Sequence, residues 1–479
     1  MPKKIKANQF DDTIDRFWAC IALVITFVIL CVSSLRAAIN PDEREHLSMV
    51  FNIAHGMIPY ADFFEHHHSL LWYIAQPLVW IFGEQANIYL GARVFNILVL
   101  LAIAFYLYKI GCCCHLSSWQ ALWIPSFYFS FDAVLLTGIE FRPDNLMMLF
   151  FMAGFFYFLN YMQSIKRADL FKAGFLFFLS FCALQKAVLY LLVISGEFGY
   201  FFYRQKNNRK IIIKDLLYVN SWLGAIVGII ILFFIYHGMW RDYFELNWLF
   251  NGKLVDDLVF GHKILWVYWV GYILVLGLLV YRFVPLEIKF LSGLYLLLPI
   301  LICIYLQYVL PFSAFLSIII VWCINTFFKG WHRLLVFLVS LLCCVYNSAP
   351  RYSRYFYQHD RLLVSLYWDD IVLKHSQTRD LILSECRYPQ FFGGIRQPPL
   401  DYYQFSLFDM AYLDYDVFAR HSFPDLNLIV QTQKPKIVVN RDWLNCRLSA
   451  SCPVMQVLDR TYMQKYYINY QDRFYIRKE

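Results

Sequence analysis

Charge is what this chain has least of. Only 16% of its 479 residues are Asp, Glu, Lys or Arg, against 60% apolar and 20% aromatic; soluble domains carry about 25% charged residues. That scarcity excludes an ordinary soluble globular protein and implies an integral membrane protein. No CxxC pair occurs among the thirteen cysteines, so nothing supports a zinc ribbon. Internal repeats and low-complexity stretches are absent as well. The formal charge of +8 does not point to a nucleic-acid partner, because the basic residues fall between apolar segments, as in loops facing the cytosol.

The apolar segments define the architecture. Lys3, Lys4 and Lys6 precede an apolar stretch over 17–35, about long enough to cross a bilayer core of ~30 Å. This places the amino terminus in the cytosol. A cleaved signal peptide competes, since 33–38 ends in small residues, but the apolar core is longer than a signal h-region. Further spans are expected at 88–109, 119–137, 144–164, 170–184, 187–203, 215–236, 264–281, 289–306, 309–327 and 331–348, about eleven in all, with the chain ends on opposite sides. Basic residues divide accordingly: Lys166, Arg167, Arg204, Lys206, Arg209 and Lys210 are among many on the cytosolic side, with fewer, such as Arg93, Arg142 and Lys186, outside. The divisions within 170–203 and 289–327 carry the topology, since merging either pair would reverse everything downstream.

Between the first two spans lies an outer loop, with an aromatic-rich interfacial helix expected over 70–83. After 350 the composition turns ordinary. Strand-like runs at 381–384, 436–439 and 473–476 and a helical run at 407–413 predict a small α/β domain outside the membrane, dividing the chain into 1–349 and 350–479. Within that domain Cys446 and Cys452 can pair in an oxidising compartment or remain thiols. Cys20, Cys31, Cys182, Cys303 and Cys323 sit in apolar runs as small hydrophobes, whereas Cys112, Cys113 and Cys114 suit acylation as well as metal binding.

Ionisable residues gather at the span ends. Pro41 to His46 holds Asp42, Glu43, Arg44 and Glu45 directly after the first span, and 62–68 holds Asp62, Glu65, His66, His67 and His68. At a membrane boundary, unpaired charge is expensive. Asp42 and Glu43 point in different directions, so one can act as general base while the other accepts a structural hydrogen bond; a pair of loop acids or a helix cap is the plain alternative. Consecutive histidines diverge, and no second ligand set stands at i, i+4, so hydrogen bonding is favoured over a closed zinc site. Asp62 reads as a turn residue. Arg142, in the hairpin with Glu140 and Asp144, and Lys186, in another, suit a phosphate headgroup, or snorkel to ordinary lipid. Trp240, Tyr243 and Trp248 can stack on a sugar or simply belong to an aromatic belt.

These pieces together resemble the GT-C superfamily of membrane glycosyltransferases, specifically the bacterial branch related to protein mannosyltransferases and the aminoarabinose transferases of lipopolysaccharide. The resemblance rests on Asp42 and Glu43 after the first span, on 60–73, on Arg142 to Asp144, on 184–187, on 308–312, and on the tail runs 402–407, 434–438 and 474–477. It implies a GT-C-like polytopic helical protein in the bacterial inner membrane that moves a sugar, with inversion, from a polyprenyl-phosphate donor to an acceptor on the outer face. The resemblance leaves three acceptor classes, a lipid, a glycan or a protein hydroxyl. Carried over residue by residue, Asp42 is the base, Arg142 and Lys186 bind the donor phosphate, and Glu43, Glu65 and His67 support the site. A divalent metal is left open, and His68, where relatives often have a proline or small residue, receives no role. A transporter or flippase of lipid-linked sugar is the rival; it would place ionisable residues near mid-bilayer.

Overall fold

The computed structural model describes residues 3–63, 65–83, 85, 87–251, 266–281, 284–296, 309–357, 371–372, 374–377, 380–383, 426–439, 459–470 and 474–478. Most of them are helical: α1 (Lys3–Arg36), α2 (Pro41–Ala54), α3 (Leu70–Ile74), α4 (Gln76–Phe82), α5 (Ile88–Cys113), α6 (Ser118–Ala121), α7 (Trp123–Ser130), α8 (Pro143–Ser164), α9 (Arg167–Ala183), α10 (Ala187–Arg204), α11 (Arg209–Tyr236) and α12 (Trp240–Phe244), with further helices at Trp266–Val280, Leu286–Tyr295, Leu310–Phe327 and Gly330–Tyr357. Among the described residues six helices are long and apolar enough to cross a membrane: Thr13–Arg36, Ile88–Cys113, Pro143–Ser164, Lys206–Tyr236, Leu310–Phe327 and Gly330–Ser348. The chain is therefore a multi-pass membrane protein.

It divides into two compact units. The first comprises Met1–Ala37, Arg93–Ile229 and Leu258–His359; the second comprises Ala38–Ala92, Ile230–Asp257 and Asp360–Glu479.

In the first unit α7 is the buried centre. It packs on α1 and on the helices Leu310–Phe327 and Gly330–Tyr357, with Trp123 stacked on Phe337 at 4.6 Å between ring centroids. The span expected over 119–137 is broken into α6, α7 and a wide turn at Val134–Gly138. The break falls where Phe131 turns extended (φ −71, ψ 139) and the Ser130 carbonyl accepts from the Ser348 hydroxyl at 2.8 Å. Burial inside the bundle permits such a break, because neighbouring helices satisfy the freed backbone groups. Helix α8 lies along α9, closely enough at Gly154 that an added Cβ would stand 2.7 Å from the Phe177 ring.

The hairpin at 184–186 is present: α9 ends before Leu184, which is extended (φ −159, ψ 127), and α10 begins at Ala187. Leu286–Tyr295 and Leu310–Phe327 are likewise separate helices, with 297–308 outside the described residues. Helix α11 is different in kind. Of the most apolar window in Lys206–Tyr236 only 6% is buried, so its flanks carry apolar side chains on nearly every face.

In the second unit α2 packs on α3 and α4. The helix expected over 70–83 is there, parted near Ala75 and stopped at Gly83, whose φ of +56 is open to glycine at no steric penalty. It leaves Trp80 and Ile81 exposed. The carboxyl-terminal part carries a four-stranded sheet in the order β1 (Ile382–Leu383), β2 (Ile437–Val439), β4 (Phe474–Arg477), β3 (Tyr467–Tyr470), parallel between β1 and β2 and antiparallel elsewhere. Strand β3 was not anticipated. The helical run at 407–413 and both Cys446 and Cys452 lie outside the described residues.

Candidate active site and metal-ligand cluster

The first polar cluster belongs to the second unit and is built on the amino terminus of α2. Asn40 caps the helix: its side chain accepts from the Asp42 backbone N–H at 3.1 Å, while the Glu43 carboxylate accepts from the Asn40 N–H at 3.1 Å, a reciprocal capping box with Pro41 at the first helical position. Glu43 is thus committed to the backbone and is only 2% exposed, whereas Asp42, one residue earlier, is half-buried. Two acids in the first turn also complement the helix dipole. The next residue, the buried Arg44, donates to the Tyr89 hydroxyl at 3.2 Å and lies over its ring.

The facing loop is held by Tyr60. Its φ of 69 is unusual for an aromatic residue; the residue is buried, and its hydroxyl donates to the His67 carbonyl at 2.6 Å. Burial, with Tyr243 and Glu65 nearby, pushes the Tyr60 phenol well above its ordinary range, so it remains a donor. Asp62 closes the turn by accepting from the Ile58 N–H at 2.6 Å.

Glu65 then gathers the loop onto one oxygen. Oε1 accepts from the backbone N–H groups of His66 (2.8 Å) and His67 (3.0 Å) and pairs with His67 Nδ1 at 2.8 Å. Oε2 is buried with no hydrogen-bond partner among the described residues. The turn brings the His66 and His67 rings to 4.0 Å between centroids, so the expectation that consecutive histidines diverge fails here: the chain is curled around the carboxylate rather than extended. One donor atom each from Glu45, Glu65, His66 and His67 lies within 4.8 Å of the others. Burial, then the neighbouring His67, holds the His66 imidazole well below its ordinary range and hence neutral. Glu45 was missed from the sequence, where it read as one more loop acid; only its place one turn after Asp42 on α2 could have flagged it. His68 meets the Tyr243 hydroxyl at 3.0 Å.

The second cluster belongs to the first unit. Asp144 opens α8 and pairs through Oδ2 with Arg142 Nε at 3.5 Å and through Oδ1 with Lys186 Nζ, while Arg142 also reaches Glu140 at 3.5 Å. The two phosphate candidates therefore share one carboxylate. A scaffold of amides fixes the hairpin: Asn145 Nδ2 donates to Asn96 Oδ1 (2.8 Å) and the Gly138 carbonyl (2.9 Å), Asn96 Nδ2 donates to the same carbonyl (2.7 Å), and the Ser34 hydroxyl donates to the Ile139 carbonyl (3.1 Å). Burial draws the Lys186 ammonium below its ordinary range, opposed by Asp144 and reinforced by Arg142.

The fold is similar to that of transferases of known structure. Over 96% of this chain and 97% of the other, it matches ArnT from Cupriavidus metallidurans bound to undecaprenyl phosphate, with a TM-score of 0.58 at 12% identity. Over 97% of this chain and 74% of the other, it matches the archaeal oligosaccharyltransferase AglB from Archaeoglobus fulgidus in complex with an inhibitory peptide and a dolichol-phosphate, with a TM-score of 0.55 at 12% identity. A complex of the Archaeoglobus fulgidus oligosaccharyltransferase with Zn and sulfate matches with a TM-score of 0.50 at 10% identity, over 87% and 67% of the two chains. No protein-family model and no curated protein matches the sequence.

Proposed function

We propose that this chain is an inverting glycosyltransferase of the bacterial inner membrane, moving a sugar from a polyprenyl-phosphate carrier to an acceptor at the outer face. What carries the reading is the likeness of fold along nearly the whole chain to membrane glycosyltransferases whose solved complexes hold undecaprenyl phosphate or a dolichol-phosphate. In this reading the amino terminus is cytosolic and the carboxyl-terminal region, roughly 350–479, is an outward α/β domain.

Asp42 takes the proton of the acceptor hydroxyl or amine, a role open to it because Glu43 supplies the capping hydrogen bond. Arg142 and Lys186 hold the donor phosphate and stabilise it as leaving group. Glu65 and His67 brace the loop opposite α2. The acceptor is a lipid A or core sugar, a protein hydroxyl or a cell-wall glycan.

The test compares envelope glycolipids and glycoproteins by mass spectrometry in a deletion strain complemented with wild type or Asp42→Asn. The expected result is a sugar missing from the deletion, restored by wild type and not by the variant. Full restoration by Asp42→Asn would remove Asp42 as the base.

Transport of a lipid-linked sugar is a second reading with one observation in its favour. Glu197, within α10, has both carboxylate oxygens buried with no hydrogen-bond partner among the described residues. If α10 spans the membrane as the sequence predicts, an unpartnered buried carboxylate on it is of the kind that marks a transport path.

A further inference from the structure

We propose that Glu45, Glu65, His66 and His67 form a divalent-cation site, best matched to Zn²⁺ or a similar transition-metal ion, that fastens the first outer loop to α2. The inference concerns the loop itself and does not rest on the transferase reading.

Three observations converge. The four donor atoms lie within 4.8 Å of one another. Four ligands about 2.0–2.1 Å from one tetrahedral ion stand roughly 3.3 Å apart, so side-chain rotation of about 1.5 Å closes the set. Second, Glu65 is 1% exposed, and its Oε1 is saturated while Oε2 has no hydrogen-bond partner among the described residues. A buried carboxylate oxygen left without a partner is unfavourable, and a cation is the partner that also offsets the charges of two clustered glutamates. Third, the imidazoles are prepared as ligands. His66 Nδ1 and His67 Nδ1 stand 3.6 Å and 2.8 Å from Glu65 Oε1, so both rings already turn a nitrogen toward the shared carboxylate.

The donor set selects the ion. Two imidazoles with two carboxylates suit zinc, cobalt or ferrous iron, whereas Ca²⁺ and Mg²⁺ prefer oxygen alone. The consequence lies along α2: Glu45 is one turn after Asp42, so an ion joining Glu45 to 65–67 fixes the helix start that presents Asp42.

The experiment uses the full chain in detergent, purified through a histidine-free tag without chelator, with metals counted by inductively coupled plasma mass spectrometry. The expected result is about one transition-metal ion per chain, falling at least tenfold in Glu65→Gln and His67→Gln. After stripping, added Co²⁺ should give the strong visible absorption of a four-coordinate site, and Zn²⁺ should raise the melting temperature by roughly 3 °C or more. Should the variants fail to fold, the Co²⁺ spectrum of stripped wild type decides. Wild type with under about a tenth of an equivalent and no Co²⁺ or Zn²⁺ response, or variants that keep the full metal, overturns the site. Sugar transfer is not read in any arm, so failure of the transferase reading and failure of this one are separable.

Discussion

Lys186 and Arg142 meet on the two oxygens of a single carboxylate, Asp144, with Glu140 as a second partner for the arginine. The formal charges of the four groups cancel. The cations are thus oriented by Asp144, and on the proposed reading an incoming phosphate competes with that carboxylate rather than filling an empty basic pocket.

Removing that shared carboxylate should be felt first as lost stability. Asp144 is 3% exposed, and truncating one member of a buried ion cluster leaves its partners uncompensated, at a cost of about 3 kcal/mol. Asp144→Ala should therefore melt well below wild type in a detergent thermal-shift assay, while Glu140→Ala, which removes the 3.5 Å partner of Arg142, should shift it less.

The lysine carries a pH signature. Its ammonium is drawn below the ordinary range by burial, so as pH rises Lys186 loses its proton before a free lysine would, near 10.4. Deprotonation removes the cation, so donor KM should rise along an alkaline limb that starts below that value. Lys186→Arg keeps its charge at every such pH, and the limb should move up or vanish; an unchanged limb would take Lys186 out of donor binding.

The cap at Asn40 separates helix stability from chemistry. Asn40→Ala should destabilise α2 by about 1 kcal/mol and lower activity only as far as Asp42 is displaced, whereas Asp42→Asn should reduce transfer by on the order of 10²-fold or more with a melting temperature near wild type.

Orientation is checked by labelling. Single cysteines at 42 and 186 should both react with a membrane-impermeant maleimide added to the outer side of intact spheroplasts. Reaction of one from outside and the other only after lysis would end the assignment of both to one reaction.

Glu197→Gln discriminates between the two functional readings. Sugar transfer in proteoliposomes supplied with donor and acceptor on one side should stay within about threefold of wild type if α10 is scaffold. Loss of net lipid-linked sugar movement in the variant, with transfer never detected, would favour the transporter.

The helices were readable because their signal is bulk hydrophobicity, which needs no partner to be recognised: α1, α5, α8, α11 and the helices at 310–327 and 330–348 emerge from composition and length. The break after Ser130 was not readable, because it depends on Ser348, far off in sequence, taking over a carbonyl. The same holds at the sites. Asn40, Pro41 and Glu43 write a capping box locally, whereas Glu45 joins Glu65, His66 and His67 only because the loop curls back on α2. Asp144 was visible as a neighbour of Arg142, but its pairing with Lys186 required the packing that sets α8 beside the α9–α10 turn.

Helix α11, with apolar side chains on nearly every flank and almost nothing packed against its most apolar window, is constrained by its solvent more than by its neighbours. Lipid asks only that a side chain be oily and of no particular shape, so the middle of this helix should accept wholesale replacement by leucine. Related chains should have drifted fastest there, leaving the segment poor in family signal while it still spans the bilayer.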